Sequence, residues 1–412
     1  MDKLFWVDEN RAIRKTYCDL IHDLNCKQTL RSSIYFDNPY SILVELVHSL
    51  ATGKPVELLD LDFASKGTNN LSNQAAVQEI ATKKLELNSV EDLFKLIEHS
   101  KDTWSLTSYS SGTTGTPKKV THTMETLGRM TKIDDRFHGN IWAFAYNPTH
   151  FAGIQVFLQA FFNKNTMIYL FDAERNTMNR QLISYQVTNI SATSTFYRNL
   201  IPFLDTTVSS LKTVTLGGEK FDSKLLTPLS TYFPHATFKN IYASTEAGSL
   251  FKGKNETFMI EEKYKNYIKT TSDNELLIHE SLLGTVDKSK LNNGWYHTGD
   301  MIEFIDERNF RFVSRQSDLI NIGGYNVNPH EIEEKIMGID GVIDVLVIPR
   351  ANAVTGNILT AEVIKAEHHS DQVLRRKIIA ELSSSMQKWK IPQMIKFVTG
   401  LNQSRTGKKV RK

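Results

Sequence analysis

From Ser110 to Thr116 every residue is Ser, Thr or Gly, and Pro117 and Lys118 follow. Glycine opens backbone angles closed to other residues. Hydroxyls, exposed amides and a lysine are the groups that wrap a polyphosphate. The spacing is not that of a Walker A loop, and the chain holds no G-x-G-x-x-G, H-E-x-x-H or G-x-S-x-G. Composition alone leaves a flexible polar loop equally open. Further clusters able to do chemistry come later. They are Gly217-Gly218-Glu219, Tyr242 to Glu246, Gly294 to Asp300, and Lys408 inside a basic tail. Each acid also has a bland role: Asp300 closing a turn, Glu246 capping a helix.

These clusters need elements to hold them, and the flanking residues supply them. Trp104–Tyr109 alternates or runs apolar into the first cluster, Leu211–Leu216 into the second, and Asn240–Tyr242 into the third. A helical stretch at Gly153–Phe162 lies between them. Strands that run into Gly- and Ser-rich loops, with helices between, predict a layered α/β domain with functional loops at strand ends. The last hundred residues change character. Met301–Ile305 and Phe310–Ser314 predict a hairpin. Asn328-Pro329-His330-Glu331 opens a helix with an N-cap, a first-turn proline and a capping-box glutamate. Val342–Ile348 and Leu359–Ile364 read as strands, and Asp371–Met386 as an amphipathic helix. The expectation is a large layered α/β domain over 1–316 and a small, mobile α+β domain over 317–412. Residues 62–75 read as a polar loop, and His368-His369 as a solvated one.

Of 412 residues, 40% are hydrophobic and 23% charged, an ordinary globular balance. The net charge of +3 owes much to Arg405, Lys408, Lys409, Arg411 and Lys412, so no nucleic-acid partner is expected. Aromatic residues are not interleaved with that basic tail, as single-strand binding favours. Two cysteines, Cys18 and Cys26, make neither a disulfide framework nor a four-cysteine zinc site. The first residues, MDKLFWVDENR, lack the apolar core of a signal peptide, and no run reaches membrane-spanning length. A cytoplasmic protein without a membrane span is expected.

The ordered clusters resemble the signatures of the adenylate-forming superfamily, which includes acyl- and aryl-CoA synthetases, peptide-synthetase adenylation domains and firefly-type luciferases. Tyr109–Lys118 resembles its phosphate-binding loop, Tyr242–Glu246 its Tyr-Gly-x-Thr-Glu motif and Gly294–Asp300 its Trp-x-x-Thr-Gly-Asp motif. Arg315–Glu333 is similar to the stretch joining its two domains, and Ser404–Arg411 to its C-terminal lysine motif. The resemblance covers residues 105–412. It implies ATP-dependent activation of a carboxylic acid, aryl or fatty, as an acyl adenylate and then thioester formation, with ATP, Mg²⁺ and CoA as cofactors. The phosphopantetheine of an acyl carrier protein is the alternative acceptor. Ser111, Thr113, Thr114, Gly115 and Lys118 are implied at the β- and γ-phosphates. Tyr242 and the Gly217-Gly218-Glu219 turn lie beside adenine, Thr245 at the α-phosphate, and Glu246 on Mg²⁺. Asp300 and Arg315 reach the ribose, and Lys408 bridges carboxylate and α-phosphate. Pro148-Thr-His150-Phe-Ala-Gly153 resembles a segment whose histidine lies near the acyl and thiol tunnel, and Gly324 belongs to the loop expected along pantetheine. Candidate pocket walls are Phe151, Phe196 and Tyr197, with Arg198 as a candidate inward cation.

Five departures accompany the resemblance. The first loop begins earlier than usual, so a piece of the outer sheet or of the acyl-pocket wall is expected to be missing or simplified. Ala243 stands where glycine is usual and could narrow the pocket. Ser317 holds the hinge position, where Asp or Lys is common. Lys119 and Asn321 replace residues that are often Gly and Lys. Two rival functions remain: a nucleotide-binding module without turnover, which would have no use for Lys408, and a basic tail that binds nucleic acid.

Overall fold

The computed structural model describes residues 2–35, 38–59, 79–110, 118–352, 355–403 and 409–411. The expected loop at 62–75, the run 111–117 and Lys408 lie outside them. The chain forms two compact units. The first is Met1–Lys269 with Leu277–His297 and Phe304–Arg311. The second is Phe312–Lys412 with Thr270–Leu276 and Thr298–Glu303.

The first unit is built on a twisted sheet whose six central strands are parallel. In sheet order they are Leu4–Asp8, Thr166–Tyr169, Ile141–Phe144, Asn189–Ala192, Thr213–Gly217 and Thr237–Ser244. Antiparallel strands flank them: Ile13–Thr16 on one side, Gly248–Lys254 and Thr257–Met259 on the other. Helices Phe151–Phe161, Arg175–Ser184, Ser194–Leu200 and Leu226–Tyr232 carry the chain between successive parallel strands. The period of two sends alternate side chains to opposite faces. Phe144, Met167 and Tyr169 join one core, with the helices Tyr17–Asn25, Pro39–Thr52, Val90–Ser100 and Phe151–Phe161. Ala143, Ile168, Ile190, Val214 and Leu216 join the other, with the remaining three. Phe144, Phe157 and Phe161 are fully buried, each worth about 1.5–3 kcal/mol in transfer free energy.

From Ile141–Phe144 the chain steps outward to Thr166–Tyr169, then returns across it to Asn189–Ala192. Strand order therefore reverses between Ile141–Phe144 and Asn189–Ala192. In open α/β sheets such a reversal opens a crevice beyond the carboxyl ends of the strands.

A second sheet in this unit orders Ser33–Tyr35, Val56–Leu59, Ser105–Ser110 and Lys118–Thr123. Its last two strands are antiparallel, with Ser105 opposite Thr123 and Ser110 opposite Lys118. That hairpin closes the base of the Ser/Thr/Gly run.

In the second unit, Val342–Asn352 pairs antiparallel with Gly356–Lys365, which pairs parallel with Met394–Phe397. Helices Pro329–Met337 and Asp371–Ser385 cover this sheet around Ile332, Ile336, Val345, Leu374 and Ile378. Asn328 caps the first helix by accepting from His330 N at 3.0 Å, with Pro329 in the first turn. Glu331 does not close the expected box. Its carboxylate takes a 2.8 Å ion pair from Lys390. His369 is only partly solvated, since its ring lies against Gly341, where an added Cβ would meet it at 2.6 Å.

Candidate active site

Four neighbouring parallel strands deliver candidate residues at their carboxyl ends. Ile141–Phe144 leads to His150, which heads helix Phe151–Phe161. Gly153 is required there: a Cβ would lie 2.3 Å from the Asn147 carbonyl. Asn189–Ala192 leads to Thr193, whose hydroxyl caps helix Ser194–Leu200. Thr213–Gly217 leads to Gly218, at φ +78°, and Glu219. The Glu219 carboxylate accepts from Thr195 N at 2.8 Å and from Thr195 Oγ1 at 3.0 Å, which ties two strand-end loops together. Thr237–Ser244 leads to Thr245 and Glu246, with buried Tyr242 packed on Phe251 and Phe258. A bulge between Tyr242 and Ala243 precedes that turn.

Two candidate pocket residues are placed differently from expectation. Tyr197 is buried in the core, and its hydroxyl donates to the carbonyls of Thr215 (2.9 Å) and Ile190 (3.2 Å). It is a structural tyrosine. Arg198 is ion-paired with Asp222 at 2.7 Å.

The turn that presents Thr245 and Glu246 has every backbone carbonyl engaged. Thr245 O accepts from His122 Nε2 at 2.6 Å, Glu246 O from Gly284 N at 2.9 Å, and Ala247 O from Arg129 Nη1 at 3.3 Å. Ala247 N donates to Ser244 Oγ at 3.0 Å. Gly284 is in turn held by paired backbone bonds between Thr121 and Thr285. His122 is fully buried, its Nδ1 3.1 Å from Thr126 Oγ1 and its ring 5.3 Å from Phe151. Burial pulls its pKa below the usual histidine value, with the Thr245 carbonyl and Glu246 opposing and Arg129 assisting. Sequence reasoning missed His122 and Arg129. A signal existed, since Val120 and His122 hold the inward positions of a strand that alternates with exposed Lys119 and Thr123.

Lys118 opens that strand. At the hairpin base Lys119 pairs with Glu57 at 3.1 Å, and Tyr109 donates to the same carboxylate at 2.5 Å. Ser111, Thr113, Thr114 and Gly115 lie outside the described residues.

In the second unit, Asp300 and Arg315 meet directly: Arg315 Nε lies 2.8 Å from Asp300 Oδ1. Asp300 is buried within a strand rather than closing a turn. Gly299, at φ +72°, donates from N to Glu275 Oε1 at 2.9 Å, and Thr298 Oγ1 donates to Leu276 O at 2.8 Å. Gly324 takes φ +92°, and its N donates to Asn321 Oδ1 at 3.2 Å. Ser317 lies in a short 3₁₀ turn, Gln316–Asp318. The residues after Lys408 are anchored inward. Lys409 Nζ reaches Asp344 Oδ1 at 2.5 Å and Val345 O at 2.9 Å, and Arg411 reaches Glu333 at 2.7 Å. His330 sits among Asp318, Glu333 and Arg411. Burial pulls its pKa down, but the bonds to Asp318 and Glu333 outweigh this and the net shift is upward. Burial pushes the Asp318 and Glu333 carboxyls up, yet His330 and Arg411 leave both below their usual values.

No described helix is long and apolar enough to cross a membrane. Among the described residues no group of three or more His, Cys, Asp or Glu could hold a metal. Magnesium does not require one, because it commonly takes one carboxylate together with substrate phosphates.

A doubly wound sheet with its functional loops at the reversal of strand order, followed by a small α+β unit, is the architecture of the adenylate-forming enzymes. The chain belongs to the AMP-binding enzyme family: that family's model matches residues 37–277, and its C-terminal domain model matches 331–408. It is an AMP-forming acid–thiol ligase by class. Its relatives include 2-succinylbenzoate–CoA ligases of Bacillus mycoides (strain KBAB4) and Listeria innocua. The first is 26% identical over 74% of this chain and 68% of the relative. The second is 27% identical over 94% and 84%. Among solved structures, ATP-bound MatB from Rhodopseudomonas palustris superposes with a TM-score of 0.72 at 17% identity, covering 99% of this chain and 94% of that one. The o-succinylbenzoate CoA synthetase of Bacillus subtilis with its acyl-adenylate gives 0.68 at 17%, covering 100% and 94%. At such identities the structures carry the fold.

Proposed function

We propose that the protein converts a monocarboxylic aryl or fatty acid into its CoA thioester through an acyl adenylate. A carboxylate is a poor electrophile. Its oxygen attacks the α-phosphorus of ATP, the bond to pyrophosphate breaks, and the acyl group gains AMP as a leaving group. The CoA thiol then adds to the acyl carbon, AMP departs, and the thiol proton passes to solvent. Negative charge gathers on phosphate and carboxylate oxygens, so the protein's work is positioning and electrostatic stabilisation.

The observation that carries this function is the convergence of four strand-end loops at the reversal of strand order. In it Glu219 and the Gly217-Gly218 turn border the adenine and acyl sites with Tyr242, and Thr245 meets the α-phosphate. Glu246 holds Mg²⁺. The donor chemistry fits: the turn carries a carboxylate, Glu246, and a hard cation prefers oxygen ligands. When bound, Mg²⁺ neutralises charge on the phosphates. Ser111, Thr113, Thr114, Gly115 and Lys118 hold the β- and γ-phosphates, and Asp300 with Arg315 the ribose. Lys408 bridges carboxylate and α-phosphate, His150 borders the acyl and thiol path, and Gly324 leaves room for pantetheine. A single carboxylate on the substrate is favoured because Arg198, the candidate inward cation, is matched by Asp222.

The test is ATP-dependent pyrophosphate release with aryl, short-chain and long-chain monocarboxylic acids, with 2-succinylbenzoate alongside. Lys408→Ala is the control. Acid-dependent release lost in the control, followed by thioester formation with CoA, is expected. A holo-carrier protein run in parallel is expected to give less product. Release only with 2-succinylbenzoate would overturn the substrate class. ATP binding without release for any acid would favour a non-catalytic nucleotide-binding module.

A further inference from the structure

We infer that His122 is a positioning residue for adenylation: its neutral Nε2–H holds the Thr245 carbonyl, and so fixes the turn that presents Thr245 and Glu246. The inference rests on the proposed function of that turn. The tautomer follows from the partners. Thr245 O can only accept, so Nε2 must carry the proton. In a neutral ring Nδ1 is then an acceptor, and the Thr126 hydroxyl 3.1 Å away can donate to it, in competition with the Thr123 carbonyl at 3.2 Å. Burial of the ring favours the uncharged form.

The histidine is wedged rather than merely placed. Phe151 stacks obliquely on one side. On another side lies Gly284, where a Cβ would come within 2.8 Å of His122 Cε1. These neighbours hold the ring where Nε2 meets the Thr245 carbonyl. The same Gly284 closes the next carbonyl of the turn, and Arg129 the one after, with a second bond to Leu282 O at 3.0 Å. Three donors from three separate segments thus lock three consecutive peptide units. A turn with its carbonyls fixed holds the backbone positions from which Thr245 and Glu246 project. This is preorganisation by groups that do not touch substrate.

Two substitutions separate the hydrogen bond from the packing. His122→Phe keeps the ring and loses the donor. His122→Gln keeps a donor at the position of Nε2 and loses the ring. The expected result for His122→Phe is a 10- to 100-fold fall in kcat for acid-dependent pyrophosphate release, the range seen when supporting shells of reacting groups are removed. KM for the acid should move less than threefold, and His122→Gln should recover most of the rate. If His122→Phe does not fold, Thr126→Val removes the hydroxyl partner of Nδ1 and should lower kcat in the same direction by less. Amide hydrogen exchange over residues 243–250 reads the turn without reference to turnover. Faster exchange in His122→Phe than in wild type or His122→Gln is expected. Wild-type protein with no release for any acid would refute the proposed function while exchange still decided the role of His122. Full activity and unchanged exchange in His122→Phe, or equal loss in Phe and Gln variants, would overturn the inference.

Discussion

Replacing Lys409 by Met should loosen the second unit without touching a proposed substrate contact. The Asp344 side chain is 3% exposed and that of Lys409 16%, with 2.5 Å between their charged atoms. Lys409 also donates to Val345 O, and Val345 N donates to Asp344 Oδ1 at 2.8 Å. In Lys409→Met the carboxylate stays buried and loses the Lys409 ammonium. Such a loss costs about 3–5 kcal/mol, or roughly two to three and a half powers of ten in an opening equilibrium at 1.4 kcal/mol per tenfold. The assay is amide hydrogen exchange along Val342–Asn352 and Gly356–Lys365, whose core amides report the unit's own opening. Exchanging both partners for apolar residues, Asp344→Val with Lys409→Met, should restore most of the protection, because no charge is then stranded. A change below tenfold in the single variant would show the pair to be solvated. A double variant as open as the single would show that the loss lay in packing. Either result refutes the reasoning.

The second unit should also depend on pH through His330. Its raised pKa stabilises the fold fully below the ordinary histidine value of 6.5, and that contribution is lost as pH climbs through the raised value. The lowered Glu333 and Asp318 contribute above their ordinary values and are lost only as pH falls well into the acid range. The urea midpoint should therefore fall as pH rises above about 6.5, and His330→Gln should flatten that slope; a slope unchanged in the variant would assign it elsewhere. Asp300→Asn weakens the acceptor that Arg315 orients at 2.8 Å. Losing a charged acceptor's hydrogen bonds costs about 1.5–3 kcal/mol, so KM for ATP in pyrophosphate release should rise about tenfold or more while the acid's KM changes little. An unchanged ATP dependence would remove Asp300 from the ribose.

The site's loops were legible because each Ser-, Thr- or Gly-rich cluster directly follows an apolar run, which marks a strand end. Thr213–Gly217 and Ser105–Ser110 lie within two residues of their expected bounds. Thr237–Ser244 begins three residues earlier than the expected Asn240, because Thr237-Phe-Lys239 gains its strand from pairing with Thr213–Thr215 rather than from local pattern. Asp300, for which closing a turn is the bland alternative to the ribose role, lies in the long strand Trp295–Phe304, where Gly299 absorbs a positive φ without ending it. Glu331 had the right spacing for a capping box and a competing lysine, Lys390, that no local pattern could announce. The alternation of its strand marked His122 as inward, but its partners Thr245 and Gly284 come from distant segments that no local pattern names.

The hairpin Ser105–Ser110 and Lys118–Thr123 links two quantities that a sequence presents as independent. Its register places Leu106 opposite His122 and Ser110 opposite Lys118. Neighbouring positions on a strand face opposite ways, so a slip of one residue would turn His122 out to solvent and bring Thr121 or Thr123 inward. A change in the join between Ser110 and Lys118 reaches His122 only if it shifts that register. Single insertions or deletions in that join should be tolerated only where the backbone absorbs them locally. Lineages that lengthen it should do so in steps that leave the histidine facing Thr245.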